Sequence, residues 1–194
     1  MSMQPIYDWI DLHADECIGD LQRFVRQPSI SAQNVGLREC AALVRDMMHA
    51  DGLPAAFHEL AAGPPVVFGH LQAKSPGKKT ILCYSHYDVQ PPDPLDKWTH
   101  GGPWSAAIVD GVLYGRGATD NKSGVLAFQK AAKAFLQVRG EVPCNLKFLV
   151  EGEEEIGSPH LAAWAAQNAA LLAADGMHCL DGSMETGTQV PDVS

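Results

Sequence analysis

The sequence predicts an α/β fold in which a mixed, mostly parallel sheet is flanked by helices. Strand-like and helix-like segments alternate along the chain, which is typical of this fold class. The segment 80–85 is almost continuously apolar, as expected for a strand covered on both faces. Residues 6–26 and about 37–50 carry apolar side chains at helical spacing with polar residues between them. Together these three observations predict a sheet with packed helices.

In the first half of the chain, the element boundaries follow from local signals. The helix over 6–26 should end at Gln27-Pro28, because the residue before proline disfavours helical backbone. The second helix, over 37–50, should stop at Asp51-Gly52. Short apolar runs predict strands at 56–60, 65–71 and 80–85.

The second half should open with a hairpin, because Asp110-Gly111 separates two short apolar runs, 107–109 and 112–114. A helix is predicted within 120–139, where apolar residues recur at helical spacing. The remaining predictions are a strand at 145–150, a helix at 159–174, a strand at 177–180 and no closing helix over 188–194.

The composition excludes several classes of protein. The 194 residues are 46% hydrophobic and 19% charged, which is ordinary for a globular domain and unlike a disordered chain. The net charge is −9 and no basic patch occurs, so nucleic acid is not an expected partner. Five cysteines without a CxxC spacing suggest buried thiols in a reducing compartment. The N-terminal stretch has no signal-peptide pattern and no segment is long enough to span a membrane, so we expect a cytoplasmic protein.

Residues that can bind metals stand at or near the ends of the predicted strands, where α/β proteins bind ligands. There are four such places: His86-Tyr-Asp88, Asp120, Glu153-Glu-Glu155 and Asp181. A set rich in carboxylates and poor in histidine suits two divalent ions that share ligands better than one structural zinc. The Asp88 carboxylate can orient the His86 ring so that its other nitrogen faces a metal.

Each of these places also has an ordinary structural interpretation. A histidine after a strand is often only hydrogen-bonded, and a run of glutamates is usually a solvated loop. Asp120 could cap a helix, and Asp181-Gly182 could form a turn. It is the joint pattern that points to a metal site. No GxSxG, GxGxxG or GxxxxGK[ST] motif supports a serine hydrolase or a nucleotide-binding protein.

Four segments of the chain resemble the M20 family of metallopeptidases, and in particular its carnosinase-like dipeptidase branch. They are Ser85-His-Tyr-Asp-Val-Gln90, Leu113-Tyr-Gly-Arg-Gly-Ala-Thr-Asp-Asn-Lys122, Glu151-Gly-Glu-Glu-Glu-Ile-Gly-Ser158 and Cys179-Leu-Asp-Gly182. The resemblance covers roughly residues 6 to 194 and keeps the motifs in order. It implies the zinc-peptidase-like catalytic fold and an Asp120–Asn121 peptide bond that is cis.

The resemblance also implies a role for each site residue. His86, Asp120 and Asp181 would bind one metal, with Asp175 as the alternative to Asp181. Asp120 would bridge to a second metal held by Glu155. The catalytic residues would be Asp88, which orients His86, and Glu154, the general base, unless the register is shifted to Glu153. The cofactors would be two divalent ions, with Zn²⁺ expected and Mn²⁺ as the alternative.

The implied activity is hydrolysis of the amide bond in small peptides, and the alternatives are deacylation of N-acyl amino acids or a truncated module that binds metal without turnover. The resemblance further implies that residues 1–194 are the N-terminal part of a catalytic domain. The family's lid or dimerisation domain and its second metal-binding histidine would then lie outside this sequence. We therefore expect weak activity, unequal metal sites, and either a homo-oligomer or a partner that supplies the other half.

Overall fold

The computed structural model describes residues 2–182, so the prediction for 188–194 lies outside the described residues. This part of the chain contains seven strands: β1 (Ala55–His58), β2 (Val66–Leu71), β3 (Thr80–His86), β4 (Ala107–Val109), β5 (Val112–Tyr114), β6 (Asn145–Glu151) and β7 (Gly176–Cys179). The same residues form six α-helices: α1 (Gln4–Leu12), α2 (Ala14–Arg26), α3 (Leu37–Ala50), α4 (Gly124–Arg139), α5 (Leu161–Gln167) and α6 (Ala169–Leu172).

Five strands form a mixed sheet in the order β1-β2-β6-β3-β7. Strand β2 is antiparallel to both of its neighbours, whereas β6, β3 and β7 are mutually parallel. Four of the five strands therefore run in the same direction, which confirms the predicted mixed, mostly parallel sheet. Strands β4 and β5 form a separate hairpin, with positive φ at both Asp110 and Gly111 as a tight primed turn requires.

Both faces of the sheet are covered, because successive residues of a strand point to opposite sides. On one face, Val67, Cys83 and Phe148 pack into a core with helices α2, α3 and α4. On the other face, Phe68 and Leu82 belong to a smaller cluster centred on Trp164 of α5. Strand β3 lies between two parallel neighbours and is covered on both faces, which explains its almost unbroken apolar sequence.

Two of the predicted helices are each divided in two. The segment predicted as one helix over 6–26 breaks at His13, and the one predicted over 159–174 breaks at Asn168. At both breaks a side-chain nitrogen lies within hydrogen-bonding distance of the carbonyl four residues earlier. His13 Nδ1 is 2.7 Å from the Trp9 oxygen, and Asn168 Nδ2 donates to the Trp164 oxygen at 2.9 Å. Such a side chain competes with the backbone for the same acceptor and favours a helix end.

The third predicted helix begins later than the sequence suggested. Residues 118–123 form an irregular turn, and the regular helix α4 starts only at Gly124. Within this turn Asp120 and Asn121 have non-helical backbone angles. The peptide bond between them is cis, which confirms the prediction made from the family resemblance. The side chain of Asp120 consequently belongs to a turn and not to a helix face.

Replacing Gly152 with alanine is expected to destabilise the protein. A Cβ at this position would overlap the ring of Tyr87, a fully buried residue whose hydroxyl donates to the Pro65 carbonyl. Because the ring cannot move freely, overpacking should cost about 1–3 kcal/mol of unfolding free energy. Thermal or urea unfolding measures this loss.

Gly19→Ala is the matched control for the glycine substitution. Gly19 lies in α2 and is exposed, and a methyl group added to it would meet no other atom within 4 Å. Alanine is the better helix former, so this variant should gain about 0.5–1 kcal/mol. Equal stability of Gly152→Ala and the wild type would contradict the steric argument.

Candidate metal centre

His86 is the last residue of β3, and its side chain is fully buried. Its Nδ1 lies 3.0 Å from the backbone oxygen of Asp88, an atom that can only accept a hydrogen bond. Nδ1 therefore carries a proton and the Nε2 atom points elsewhere. Nε2 is itself buried, yet it makes no hydrogen bond of normal geometry with any described residue. A buried polar atom of this kind calls for an explanation.

Three carboxylates surround this nitrogen. Asp120 Oδ1 lies 3.1 Å from Nε2, Asp181 Oδ2 lies 3.3 Å away, and Glu154 Oε2 lies 3.9 Å away. They come from three separate segments: the turn before α4, the chain after β7 and the loop after β6. One imidazole nitrogen among several carboxylates is a suitable donor set for a divalent cation. The residues present therefore fit a metal ion.

The electrostatics of His86 support the same conclusion. Burial by itself would lower the pKa of the imidazole, but the hydrogen bond to Asp88 and the charges of Asp88, Asp181 and Glu154 outweigh it. The result is a pKa raised to about 9. The cleft thus favours positive charge at this point, and the carboxylates that favour a proton would also favour a metal ion.

Asp88 has a wider role in the geometry than the sequence suggested. Its carboxylate lies 3.3 Å from His86 Nδ1, farther than its own backbone oxygen. The two carboxylate oxygens accept hydrogen bonds from the backbone N–H groups of Glu154 and Glu155, at 3.2 and 3.1 Å. Both the carboxylate and the backbone carbonyl of Asp88 therefore face Nδ1, and the carbonyl is the nearer of the two acceptors. The carboxylate also anchors, beside His86, the loop that follows β6 and carries residues 153–155, here called the glutamate loop.

The three consecutive glutamates point to three different partners. Glu153 is buried, and both of its carboxylate oxygens lie within 3.0 Å of His160 Nδ1. Glu154 faces His86, as described above. Glu155 accepts hydrogen bonds from the backbone and side-chain nitrogens of Gln90, at 3.1 and 2.8 Å. The three carboxylates therefore point in different directions, and the geometry places Glu154, not Glu153, beside the imidazole.

The carboxyl groups of Glu154 and Glu155, in the loop after β6, have pKa values raised above the usual range. Burial raises the pKa of Glu154, and the charges of Asp181 and Glu155 add to this effect against the attraction of His86. Burial and the charge of Asp120 likewise raise the pKa of Glu155 against the hydrogen bond from Gln90. A cation placed among these groups would relieve the strain of gathering like charges.

A second buried carboxylate, that of Glu151, helps to hold the glutamate loop in place. Glu151, at the end of β6, accepts hydrogen bonds from the Tyr84 hydroxyl at 2.6 Å and the Ser158 hydroxyl at 2.8 Å. Ser158 closes the loop, because its backbone N–H also donates to the Glu153 carbonyl. Strands β3 and β6 are in register so that His86 pairs with Glu151, which aligns the loop with the histidine.

Asp181, not Asp175, lies at this centre. Asp175 precedes β7 and binds Lys79 and the backbone of Thr80 at the opposite end of the sheet. Asp181 instead lines a cleft of about 340 Å³ together with Thr119, Asp120, Leu180 and Gly182. The fallback ligand considered from the sequence is therefore far from His86, whereas the preferred one lies beside it.

A second group of carboxylates has a different character. Glu16, Asp20 and Asp51 lie close enough to hold an ion, but two lysines already neutralise them. Lys130 binds Asp20 and Asp51, and Lys133 binds Glu16 and Asp51. This network links α2, the end of α3 and α4, and we interpret it as structural.

Sequence reasoning missed the supporting residues Gln90, His160 and Asn121. Gln90 and Asn121 both stand in segments that carry the family resemblance, so their positions were a usable signal. His160 stands in no such segment, and its contact with Glu153 depends on loop conformation, so spacing alone could not reveal it.

Comparison with known proteins identifies the family. The profile of peptidase family M20/M25/M40 matches residues 82–194, more than half of the sequence. The chain belongs to this family. Solved M20 structures share its fold: human carnosine dipeptidase 1 has a TM-score of 0.87 at 33% identity, covering 95% of this chain and 42% of that protein. The M20 metallo-carboxypeptidase Sso-CP2 from Sulfolobus solfataricus has a TM-score of 0.80 at 36% identity, covering 87% and 38%.

Curated relatives within the M20 family include dipeptidases. The chain is 38% identical to the Beta-Ala-His dipeptidase of Homo sapiens over 171 residues, which is 80% of this chain and 33% of that protein. It is 33% identical to the Cys-Gly metallodipeptidase dug1 of Schizosaccharomyces pombe over 175 residues, 83% of this chain and 36% of that protein. The chain thus spans about a third of the length of these relatives. Within residues 2–182, no helix is long and apolar enough to cross a membrane.

Proposed function

We propose that residues 1–194 form the metal-binding part of a peptidase catalytic domain that hydrolyses the amide bond of small peptides, as a dipeptidase does. The observation that carries this proposal is the buried Nε2 of His86, which has no hydrogen-bond partner of normal geometry within residues 2–182 but has three carboxylates within 4 Å. Membership in the M20 family and the two dipeptidases among the relatives support it.

The residues that would hold metal form two overlapping sets. His86, Asp120 and Asp181 would hold one divalent ion, and Asp120 and Glu155 would hold a second. Zn²⁺ is the ion we propose, with Mn²⁺ as the alternative that the same ligands serve. When bound, the ions would polarise the scissile carbonyl and make an attacking water easier to deprotonate.

Glu154 is the proposed general base. Its backbone is fixed by the Asp88 carboxylate, and its side chain lies on the rim of the His86 centre at 3.9 Å from Nε2. A carboxylate whose pKa is raised by burial takes up a proton more readily than an ordinary one. Glu154 would accept the proton of the attacking water and then deliver it to the leaving amine. Asp88 would act by holding both His86 and this loop in place.

The direct test is hydrolysis by the purified 194-residue protein with added Zn²⁺ or Mn²⁺. A panel of dipeptides is compared with N-acetyl amino acids, and a chelator-treated sample serves as the control. We expect slow, metal-dependent cleavage of dipeptides and less cleavage of N-acetyl amino acids. Preference for the N-acetyl substrates would instead support a deacylase. Stoichiometric metal binding without any turnover would make the chain a metal-binding module and contradict the proposed activity.

A further inference from the structure

Asn121 connects two of the segments that surround His86. Its side chain is fully buried, and Nδ2 donates a hydrogen bond of 2.7 Å to the backbone oxygen of Leu180. Asp120 immediately precedes Asn121, and Asp181 immediately follows Leu180. One hydrogen bond therefore joins the neighbours of two carboxylates that face the same imidazole nitrogen.

The hydrogen bond between Asn121 and Leu180 requires a glycine at position 124. A Cβ on Gly124 would overlap Asn121 Oδ1 and would lie 2.7 Å from the Leu180 oxygen. The first residue of α4 thus has no side chain where Asn121 and Leu180 meet. Asn121 Oδ1 is buried and has no hydrogen-bond partner among the described residues. An unsatisfied buried oxygen costs free energy, which the hydrogen bond from Nδ2 to the Leu180 carbonyl has to offset.

The bond matters because Leu180 and Asp181 lie beyond the sheet. Strand β7 ends at Cys179, whose pairing with Tyr84 is the last between β7 and β3. The described residues after it, 180–182, are exposed. Asp120 and Asp181 carry like charges, and without a cation they repel each other. A link between their neighbours opposes that repulsion.

We propose that Asn121 is a positioning residue for the metal centre, which holds Asp120 and Asp181 at the separation needed for both to reach an ion at His86. This inference rests on the proposed function, because it assumes that the two carboxylates bind metal. Asn121 itself does not touch the ion or the substrate. Its contribution is to arrange the ligands before the ion arrives, as hydrogen bonds behind metal ligands commonly do.

The test substitutes Asn121 with aspartate. An ionised aspartate has the same shape but cannot donate to the Leu180 carbonyl, and its extra negative charge by itself should strengthen cation binding. We nevertheless expect Zn²⁺ affinity, measured by calorimetric titration, to fall about tenfold or more. Asn121→Leu removes the donor without adding charge and should show the same loss. The two variants together separate geometry from electrostatics.

Asn145→Asp is the matched control. Asn145 Nδ2 also donates to a backbone carbonyl, that of Lys78, but Asn145 opens β6 at the end of the strand opposite Glu151. This variant should bind Zn²⁺ with wild-type affinity. Urea unfolding of each metal-free variant shows whether it is folded before titration. The visible spectrum of bound Co²⁺ should change in both Asn121 variants and not in the control, because it reports ligand geometry.

Wild-type affinity and an unchanged Co²⁺ spectrum in folded Asn121→Asp and Asn121→Leu would overturn the proposal. If the wild-type protein binds no metal, the proposed function fails, and the link is examined separately by hydrogen exchange of the metal-free protein. The peptide containing 180–182 should then exchange faster in the Asn121 variants than in the wild type. Equal exchange would overturn the structural role of Asn121 as well.

Discussion

Glu154→Gln is expected to lower dipeptide turnover by about a hundredfold or more while leaving Zn²⁺ binding intact, because a glutamine amide cannot accept the proton of the attacking water. The side chain lies farther from His86 Nε2, at 3.9 Å, than Asp120 or Asp181. Glutamine has the same shape and keeps a carbonyl oxygen, so its introduction should leave the three proposed ligands His86, Asp120 and Asp181 in place. Initial rates with a dipeptide, together with calorimetric titration of Zn²⁺, measure the two effects separately.

Glu153→Gln is the matched control, since it makes the same chemical change one residue earlier. The Glu153 carboxylate is paired with His160 and points away from the centre. We expect its turnover to stay within severalfold of the wild type, with some loss of unfolding free energy because His160 loses a charged partner. If Glu153→Gln abolished turnover and Glu154→Gln did not, the assignment of the general base would be wrong by one position.

Metal titration is expected to show one tight Zn²⁺ site per chain, and His86→Ala is expected to eliminate it. His86, Asp120 and Asp181 offer three ligands to one ion, which is the usual number for a catalytic zinc site. Among residues 2–182, Glu155 belongs to no group of three or more mutually close metal-binding side chains, so a second ion would have only Asp120 and Glu155 as ligands. A second ion should therefore bind much more weakly. Calorimetry gives the stoichiometry and both affinities.

Loss of the imidazole should weaken Zn²⁺ binding at the tight site by at least about a hundredfold, comparable to the largest effects of outer-shell substitutions. His178→Ala is the control, because His178 packs edge-on against Phe128 and contributes no contact to the centre. Zinc should raise the midpoint of thermal unfolding of the wild type and of His178→Ala, but not of His86→Ala. Two equally tight sites in the wild type would show that a further ligand completes the second one.

Much of the fold could be predicted from local patterns. The hairpin at Asp110-Gly111 was predicted with its strand bounds, because two residues with positive φ can be recognised from sequence. The helix breaks at His13 and Asn168 were not predicted. Each depends on one side chain competing for a carbonyl four residues earlier, and apolar periodicity does not register such a competition. Assembly is a separate point: that the chain forms a homo-oligomer, or binds a partner that supplies the rest of the catalytic domain, stays a prediction.

The sequence by itself determined which residues could form the centre. Histidine and carboxylates at the ends of apolar strands must meet at one edge of a parallel sheet, and β3, β6 and β7 are parallel. The sequence pattern therefore pointed to the four places that hold these side chains, and the resemblance to the M20 family then assigned His86, Asp120, Glu154, Glu155 and Asp181 within them.

Only the tertiary structure decided how these residues are held. The Asp88 carboxylate binds the backbone of Glu154 and Glu155, His160 draws Glu153 away, and Asn121 ties its turn to Leu180. Each of these contacts joins segments distant in sequence through loops whose backbone follows no repeating pattern. Hydrogen-bond geometry is set within a few tenths of an ångström, so it emerges only when the surrounding core fixes where those loops lie.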